Sequence, residues 1–191
     1  TRPKQKVWIH FSNDFALEDI DGFFNGYSFN DLYWFEHNVF NEIKERFEDY
    51  GYGSDEIEFF EEQPTGTYST LNITMNDNDG AFGTANHTDK WNDDYAKSAE
   101  IFGMAFADFA RLSPTVEQMQ NAFANVSTHE ISHLIGLTHV ANPADVMDVT
   151  GSLDTLLEQR GPGTSPLDSL IFRNGRQNAN DIYQVLRTQD K

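Results

Sequence analysis

The segment from residue 129 to residue 139 constrains the fold more tightly than any other part of the 191-residue chain, because it matches the pattern HExxHxxGxxH. On a helix, His129 and His133 are one turn apart and point the same way, so both imidazoles can reach one cation. Gly136 lets the chain leave the helix through a left-handed conformation, and three further residues suffice to bring His139 back. The pattern therefore predicts a helix that ends near a glycine, followed by a reversal that completes a three-histidine site.

Three neutral imidazole nitrogens with an open fourth position are typical of a catalytic zinc site rather than a structural one. Glu130 lies next to His129 instead of on the ligand face, so it can act as a general base without binding the metal. For a chain of this composition, a chance match to the five defined positions has a probability on the order of 10⁻⁵ to 10⁻⁴. We therefore predict a Zn²⁺ cofactor bound by His129, His133 and His139, with Glu130 as the catalytic residue.

The composition excludes several other classes of site and partner. The chain has no cysteine, which rules out disulfides, thiolate metal sites and cysteine nucleophiles. Its 31 acidic and 13 basic residues give a formal charge of -18, which repels phosphate backbones, so we expect no nucleic-acid partner. No apolar run approaches the roughly 18 to 20 residues of a membrane span. The 38% hydrophobic content supplies a core, so we predict a folded protein.

Hydrophobic periodicity and turn residues predict a succession of strands and helices. These are a strand at 7–12, a helix from Ser28 or Asn30 to Gly51, strands at 56–60 and 68–75, an edge strand at 81–84, an interior strand at 100–109, a helix from Ser113 to Gly136, and a final helix at 178–187. The order predicts an α+β fold in one catalytic domain, 1–191. Its N-terminal subdomain, 1–136, holds the sheet and two long helices, and its C-terminal subdomain, 137–191, is small and irregular.

The string from His129 to His139 and the methionine eight residues later resemble the metzincin zinc endopeptidases. Met147 is similar to the Met-turn of that family, a methionine beneath the zinc-binding imidazoles. The short interval to Met147 is most similar to the matrixin branch, although Val140 follows His139 where matrixins have a serine, which points to a prokaryotic matrixin-like group. The resemblance implies a twisted, mixed five-stranded sheet with one antiparallel edge strand, an active-site helix that carries Glu130, and a C-terminal subdomain that ends in a helix.

The resemblance also implies the function and the partners. The chain is expected to be a secreted, monomeric zinc endopeptidase that acts on proteins or peptides, with a pro-segment or an inhibitor as a further partner. Substrate would lie extended along the edge strand formed by Ala81, Phe82, Gly83 and Thr84. A competing hypothesis is a catalytically latent binding module that keeps zinc for stability. The intact Glu130 argues against this alternative, because a module without hydrolysis has no use for that carboxylate.

A group of five aspartates suggests a second cation. Asp77, Asp79, Asp89, Asp93 and Asp94 lie in and around a glycine turn, and the first two belong to a stretch that resembles half of a calcium loop. The stretch is not an EF-hand, because a methionine occupies the first ligand position of that pattern. Two interpretations stay open, a calcium site and a solvated acidic loop.

Overall fold

A mixed five-stranded sheet and two long helices form the body of the chain. The computed structural model describes residues 3–20, 27–49, 53–86, 88–89, 92–140, 142, 145–148, 153–158, 165–166 and 176–177. The strands are β1 (Gln5–Phe11), β2 (Ile57–Phe60), β3 (Ser69–Thr74), β4 (Gly83–Ala85), β5 (Ser98–Phe102), β6 (Ser165–Pro166) and β7 (Arg176–Gln177). The helices are α1 (Phe29–Asp49), α2 (Val116–Leu134) and α3 (Leu153–Leu156), with 3₁₀ helices at Leu17–Asp19 and Gly103–Leu112.

The strand order in the sheet is β2-β1-β3-β5-β4. β1 pairs in parallel with β2 and β3, and β3 pairs in parallel with β5. β4 runs antiparallel to β5 at the end of the sheet. β6 and β7 form a separate antiparallel pair. The predicted α+β class and the five-stranded sheet with one antiparallel edge strand are therefore confirmed.

Helix α1 begins at the predicted capping residue Ser28. The Ser28 Oγ accepts a hydrogen bond from the backbone N–H of Asp31 at 3.2 Å, and the Ser28 N–H donates to the Asp31 carboxylate at 2.8 Å. This reciprocal pair satisfies two N–H groups that a helix start otherwise leaves without partners. The buried face then carries apolar residues at helical spacing, as predicted: Phe35, Val39, Ile43 and Phe47.

Helix α2 begins two residues later than the sequence predicts. Thr115 is its N-cap, since the Gln118 N–H donates to Thr115 Oγ1 at 3.2 Å and the Thr115 N–H donates to Gln118 Oε1 at 2.9 Å. The predicted cap, Ser113, has a φ of 48° and instead ends the preceding 3₁₀ helix. The prediction of Ser113 as the helix start was therefore wrong. A serine followed by proline is compatible both with the end of one helix and with the start of the next, which explains the error.

The predicted interior strand at 100–109 is only partly a strand. β5 ends at Phe102 in the interior of the sheet, and the 3₁₀ helix Gly103–Leu112 follows it. Phe106 and Phe109 of that helix are fully buried, and the Phe106 ring stacks on Phe123 of α2 with centroids 3.7 Å apart. Residues 101–107 are all apolar, and such a run fits a buried strand and a buried helix equally well, which explains the error.

The two long helices and the sheet share one hydrophobic core. Arg46 of α1 is buried between the helices, where its Nη2 donates to Asn121 Oδ1 of α2 at 3.0 Å and its Nη1 lies 3.3 Å from Glu42 Oε2. On its other side α2 contacts β3, β4 and β5. This packing places the residues at the end of α2 beside the edge strand of the sheet.

The predicted final helix at 178–187 lies outside the described residues. The division into subdomains 1–136 and 137–191 stays a prediction. Within the ranges given above, every helix falls short of the length and apolar character that a membrane span requires.

Candidate metal centre and active-site cleft

Three imidazole rings meet at the C-terminal end of α2. The Nε2 atom of His133 lies 3.0 Å from that of His129 and 3.0 Å from that of His139, and the remaining pair is separated by 3.2 Å. Among the described residues, these three form the one group of three or more His, Cys, Asp or Glu side chains close enough to share a metal ion. The structure therefore brings the predicted ligands together.

For two of the three imidazoles, the contact of the second ring nitrogen indicates the tautomer. The Nδ1 of His129 lies 2.7 Å from the Val146 carbonyl, and the Nδ1 of His133 lies 2.8 Å from the Leu137 carbonyl. A carbonyl only accepts, so each Nδ1 carries the proton and each neutral ring presents its lone pair at Nε2. Lone pairs about 3 Å apart repel one another unless a cation lies among them. The donor set thus fits Zn²⁺, which binds imidazole nitrogens at about 2.0 to 2.1 Å.

The environment of His133 favours its neutral form. The pKa of this imidazole is lowered to about 4, mainly by burial; the hydrogen bond to the Leu137 carbonyl opposes the shift, and the nearby His139 adds to it. A metal ligand must offer an unprotonated nitrogen. His133 is therefore in the required form at neutral pH.

The chain reverses direction after α2 through a common type of helix ending, which brings His139 to the other two histidines. Gly136 has a φ of 111°, the Gly136 N–H donates to the His133 carbonyl at 3.2 Å, and the Leu137 N–H donates to the Ser132 carbonyl at 2.9 Å. Together these bonds form a Schellman motif, in which a glycine in the left-handed region ends the helix. The sequence prediction for Gly136 agrees with this geometry.

Met147 lies in a tight turn that contacts the segment after His139. Its side chain is fully buried, its N–H donates to Asp145 Oδ1 at 2.9 Å, and its carbonyl accepts from the Val140 N–H at 3.1 Å. The preceding carbonyl, that of Val146, is the one that accepts from His129. The turn thus connects the segments that carry the first and third histidines.

Glu130 is 6% exposed and lies beside the three histidines without belonging to the nitrogen cluster. Burial raises the pKa of its carboxyl to about 8. A nearby cation favours the charged carboxylate and opposes this shift. Glu130 and His129 line two neighbouring cavities, of about 610 and 360 Å³, that both adjoin Gly83 of β4. The site therefore opens into a cleft that runs along the edge strand.

The larger cavity is mainly apolar and borders α3. Asn125 of α2 is fully buried, and its Nδ2 donates to the carbonyls of Leu156 at 2.7 Å and Glu158 at 2.6 Å, which attaches the segment around α3 to α2. Arg111 also lines this cavity. The apolar walls are formed by Phe82, Val126, Val146, Leu153 and Leu156.

The edge strand is shifted relative to its predicted position. β4 spans Gly83–Ala85, whereas the prediction was Ala81 to Thr84. Ala81 belongs to a preceding turn, with its N–H donating to the Asn78 carbonyl at 3.0 Å. Phe82 extends the pairing, because its carbonyl accepts from the Phe102 N–H at 2.9 Å. The edge available for an added strand therefore begins at Phe82.

The acidic loop does not form a cation site among the described residues, where the histidine cluster is the one metal-binding group. Asp89 instead pairs with Lys97 at 2.5 Å and accepts from the Asp94 N–H at 2.9 Å. Burial opposes its charge, but these hydrogen bonds and the Lys97 charge hold the pKa of Asp89 below its usual range. The structure therefore does not support calcium at Asp77, Asp79, Asp89, Asp93 and Asp94.

The same loop supplies contacts to the metal centre that the sequence did not predict. The Asp89 N–H donates to the His133 carbonyl at 3.1 Å, and Thr88 Oγ1 lies 3.4 Å from His133 Nδ1. The Val146 and Leu137 carbonyls were also missed, because a backbone carbonyl is present at every position and leaves no mark in a sequence. The pairing of Asp89 with Lys97 was missed as well, because eight residues with no regular spacing separate the two.

Comparisons with known proteins add one structural similarity. No protein-family model matches the chain, and no curated protein matches it. Among solved structures, the chain is similar to the crystal structure of archaemetzincin from Methanopyrus kandleri, at 15% identity and a TM-score of 0.49, over 82% of this chain and 87% of that one. The comparisons do not support the matrixin-like branch, which stays a prediction. The chemistry of the site is therefore inferred from its own residues.

Proposed function

We propose that the protein is a zinc-dependent endopeptidase of the metzincin type. The observation that carries the proposal is the cluster of three Nε2 atoms within 3.2 Å of one another, two of them on rings whose Nδ1 atoms are held by carbonyls. His129, His133 and His139 would hold the ion. When bound, zinc supplies Lewis acidity, which polarises a scissile carbonyl and lowers the pKa of water.

Glu130 supplies the proton transfers in this proposal. Its carboxylate takes a proton from the attacking water and then returns it to the departing amine, so that one group acts as base and as acid. Its burial excludes bulk water, which would otherwise compete for these hydrogen bonds. The position beside His129 brings the carboxylate to the cleft while leaving the three nitrogens to the metal.

The substrate is proposed to be an extended peptide. β4 lies at the end of the sheet, pairs with β5 and borders both cavities. An added strand along such an edge gains backbone hydrogen bonds, which are independent of sequence. The apolar cavity of about 610 Å³ next to Glu130 would then receive one substrate side chain. A cleft open along the edge strand suits cleavage within a chain.

The competing proposal is a latent module that keeps zinc for stability alone. Both proposals require the metal, and they differ in the role of Glu130. Burying a carboxyl group in the cleft costs free energy, and a module that keeps zinc only for stability would gain nothing in return. The position of Glu130 therefore favours hydrolysis.

Secretion is a separate proposal. Measuring whether the protein is found in the medium or inside the producing cells would test it.

The decisive experiment compares Glu130→Gln with Glu117→Gln, the same change at an exposed position of the same helix. Each protein is reconstituted with zinc, its metal content is measured, and cleavage of a diverse peptide mixture is followed by mass spectrometry. We expect internal cleavages by the wild type and by Glu117→Gln, abolished by a chelator. Glu130→Gln should keep zinc and lose about 10² to 10⁴-fold in rate. Zinc binding without any hydrolysis would favour the latent module.

A further inference from the structure

Gly83, the first residue of β4, lies against the side chain of Glu130. A Cβ atom added at Gly83 would be 2.9 Å from Glu130 Cγ, 3.0 Å from Glu130 Oε1 and 3.0 Å from Ile101 Cδ1. Cβ atoms essentially never approach another atom as closely as 2.9 Å, and contacts of 3.0 Å are rare. The carboxylic side chain of α2 therefore occupies the space that any other residue at position 83 would fill.

The backbone conformation does not explain this glycine. The described glycines with positive φ are Gly66, Gly80 and Gly136, and Gly83 is not among them. Alanine could adopt the conformation of Gly83 without strain. The requirement at this position is thus one of space, and Glu130 fills much of that space.

We propose that Gly83 is a positioning residue that determines where the Glu130 carboxylate lies in the cleft. The proposal rests on the proposed hydrolytic function. Glu130 Cγ is only two bonds from the helix backbone, so a side chain at position 83 can be accommodated only by rotating Glu130 about χ1 or by moving β4 away. Either change displaces the carboxylate relative to a peptide paired with the edge strand. A displacement of about 1 Å can reduce a rate by about 10²-fold.

The test is Gly83→Ala, with Gly53→Ala as the matched control. An added Cβ at Gly53 would also meet a carboxylate, that of Asp55, but this one is exposed and free to move. We expect Gly83→Ala to bind one zinc, to lower kcat by about 10 to 100-fold and to change KM by less than about 3-fold. Gly53→Ala should match the wild type. A crystal structure of Gly83→Ala should show the Glu130 carboxylate displaced.

A second variant separates the contact with Glu130 from that with Ile101. Ile101→Val removes Cδ1, so the double variant Gly83→Ala with Ile101→Val retains only the close approach to Glu130. If the single variant folds poorly, the double variant is used for the test instead. We expect the double variant to fold, to bind zinc and to stay slow. Recovery of kcat in the double variant would overturn the proposal, as would an active Gly83→Ala or an unmoved carboxylate. A wild type without zinc-dependent hydrolysis would refute the proposed function itself, and the positioning role with it.

Discussion

Replacing Met147 with alanine tests whether the turn beside the metal centre depends on a buried side chain. Met147 is fully buried and belongs to the hydrophobic core. Its backbone bonds to Asp145 and Val140 do not involve the side chain, so the substitution removes packing and leaves those bonds possible. Large-to-small changes at such sites cost about 2 to 5 kcal/mol, because a cavity remains. For a domain of this size, the melting temperature should fall by about 4 to 20 °C.

The assay is urea denaturation followed by the fluorescence of the three tryptophans, together with measurement of bound zinc. Met147→Leu is the control, because it conserves volume and should cost less than about 1.5 kcal/mol. Both variants should keep one zinc per chain, since the atom that contacts His129 is a backbone carbonyl. A free energy of unfolding for Met147→Ala equal to that of the wild type would refute the argument from packing. Loss of zinc with an intact fold would show that the methionine side chain itself holds the histidines.

Four further predictions follow from the same geometry. Removing zinc with a chelator should lower stability by about 2.7 kcal/mol relative to protein at a hundredfold excess of metal over Kd, which calorimetry would measure. Lys97→Met should cost about 1 to 3 kcal/mol in chemical denaturation, because the half-buried Asp89 carboxylate loses its hydrogen-bonded cation, and adding Asp89→Asn should recover part of the loss. Asn125→Ala should cost roughly 1 to 3 kcal/mol and reduce kcat/KM, since two carbonyls beside the larger cavity lose their donor. Calcium and magnesium at matched ionic strength should shift the melting temperature equally, and a larger calcium shift would restore the calcium hypothesis.

The parts of the fold that could be predicted depend on short-range contacts. The Ser28 cap and the apolar face of α1 involve residues three or four positions apart, which a sequence displays directly. Gly136 was predictable for the same reason, because a helix that ends in a left-handed residue usually has glycine there. The strand predictions succeeded where polar and apolar residues alternate, as in β3.

The features that the sequence did not show depend on how the folded chain packs. Residues 101–107, which span the end of β5 and the start of the 3₁₀ helix, are all apolar, so their sequence does not distinguish a strand from the 3₁₀ helix that packs against Phe123. Asp89 was grouped with nearby aspartates, although its partner Lys97 and the His133 carbonyl set its role. Gly83 was predicted as part of an edge strand, but its proximity to Glu130 exists only once α2 lies against that strand.

The metal centre requires few specific side chains. Sequences that share this site can therefore differ widely elsewhere. Three histidines, Glu130 and Gly136 must have their chemical identity, whereas the bonds that orient His129 and His133 come from the carbonyls of Val146 and Leu137. Any residue supplies a carbonyl, so the hydrogen bonds do not require a particular side chain at these positions. The backbone there must still follow the same path and pack in the same way. A chain can therefore keep the centre while most of its sequence changes, provided that the helix ending and the buried turn at Met147 persist. On this view backbone geometry preserves the site, so the eleven-residue pattern and the histidine cluster can occur in a chain that no family model matches.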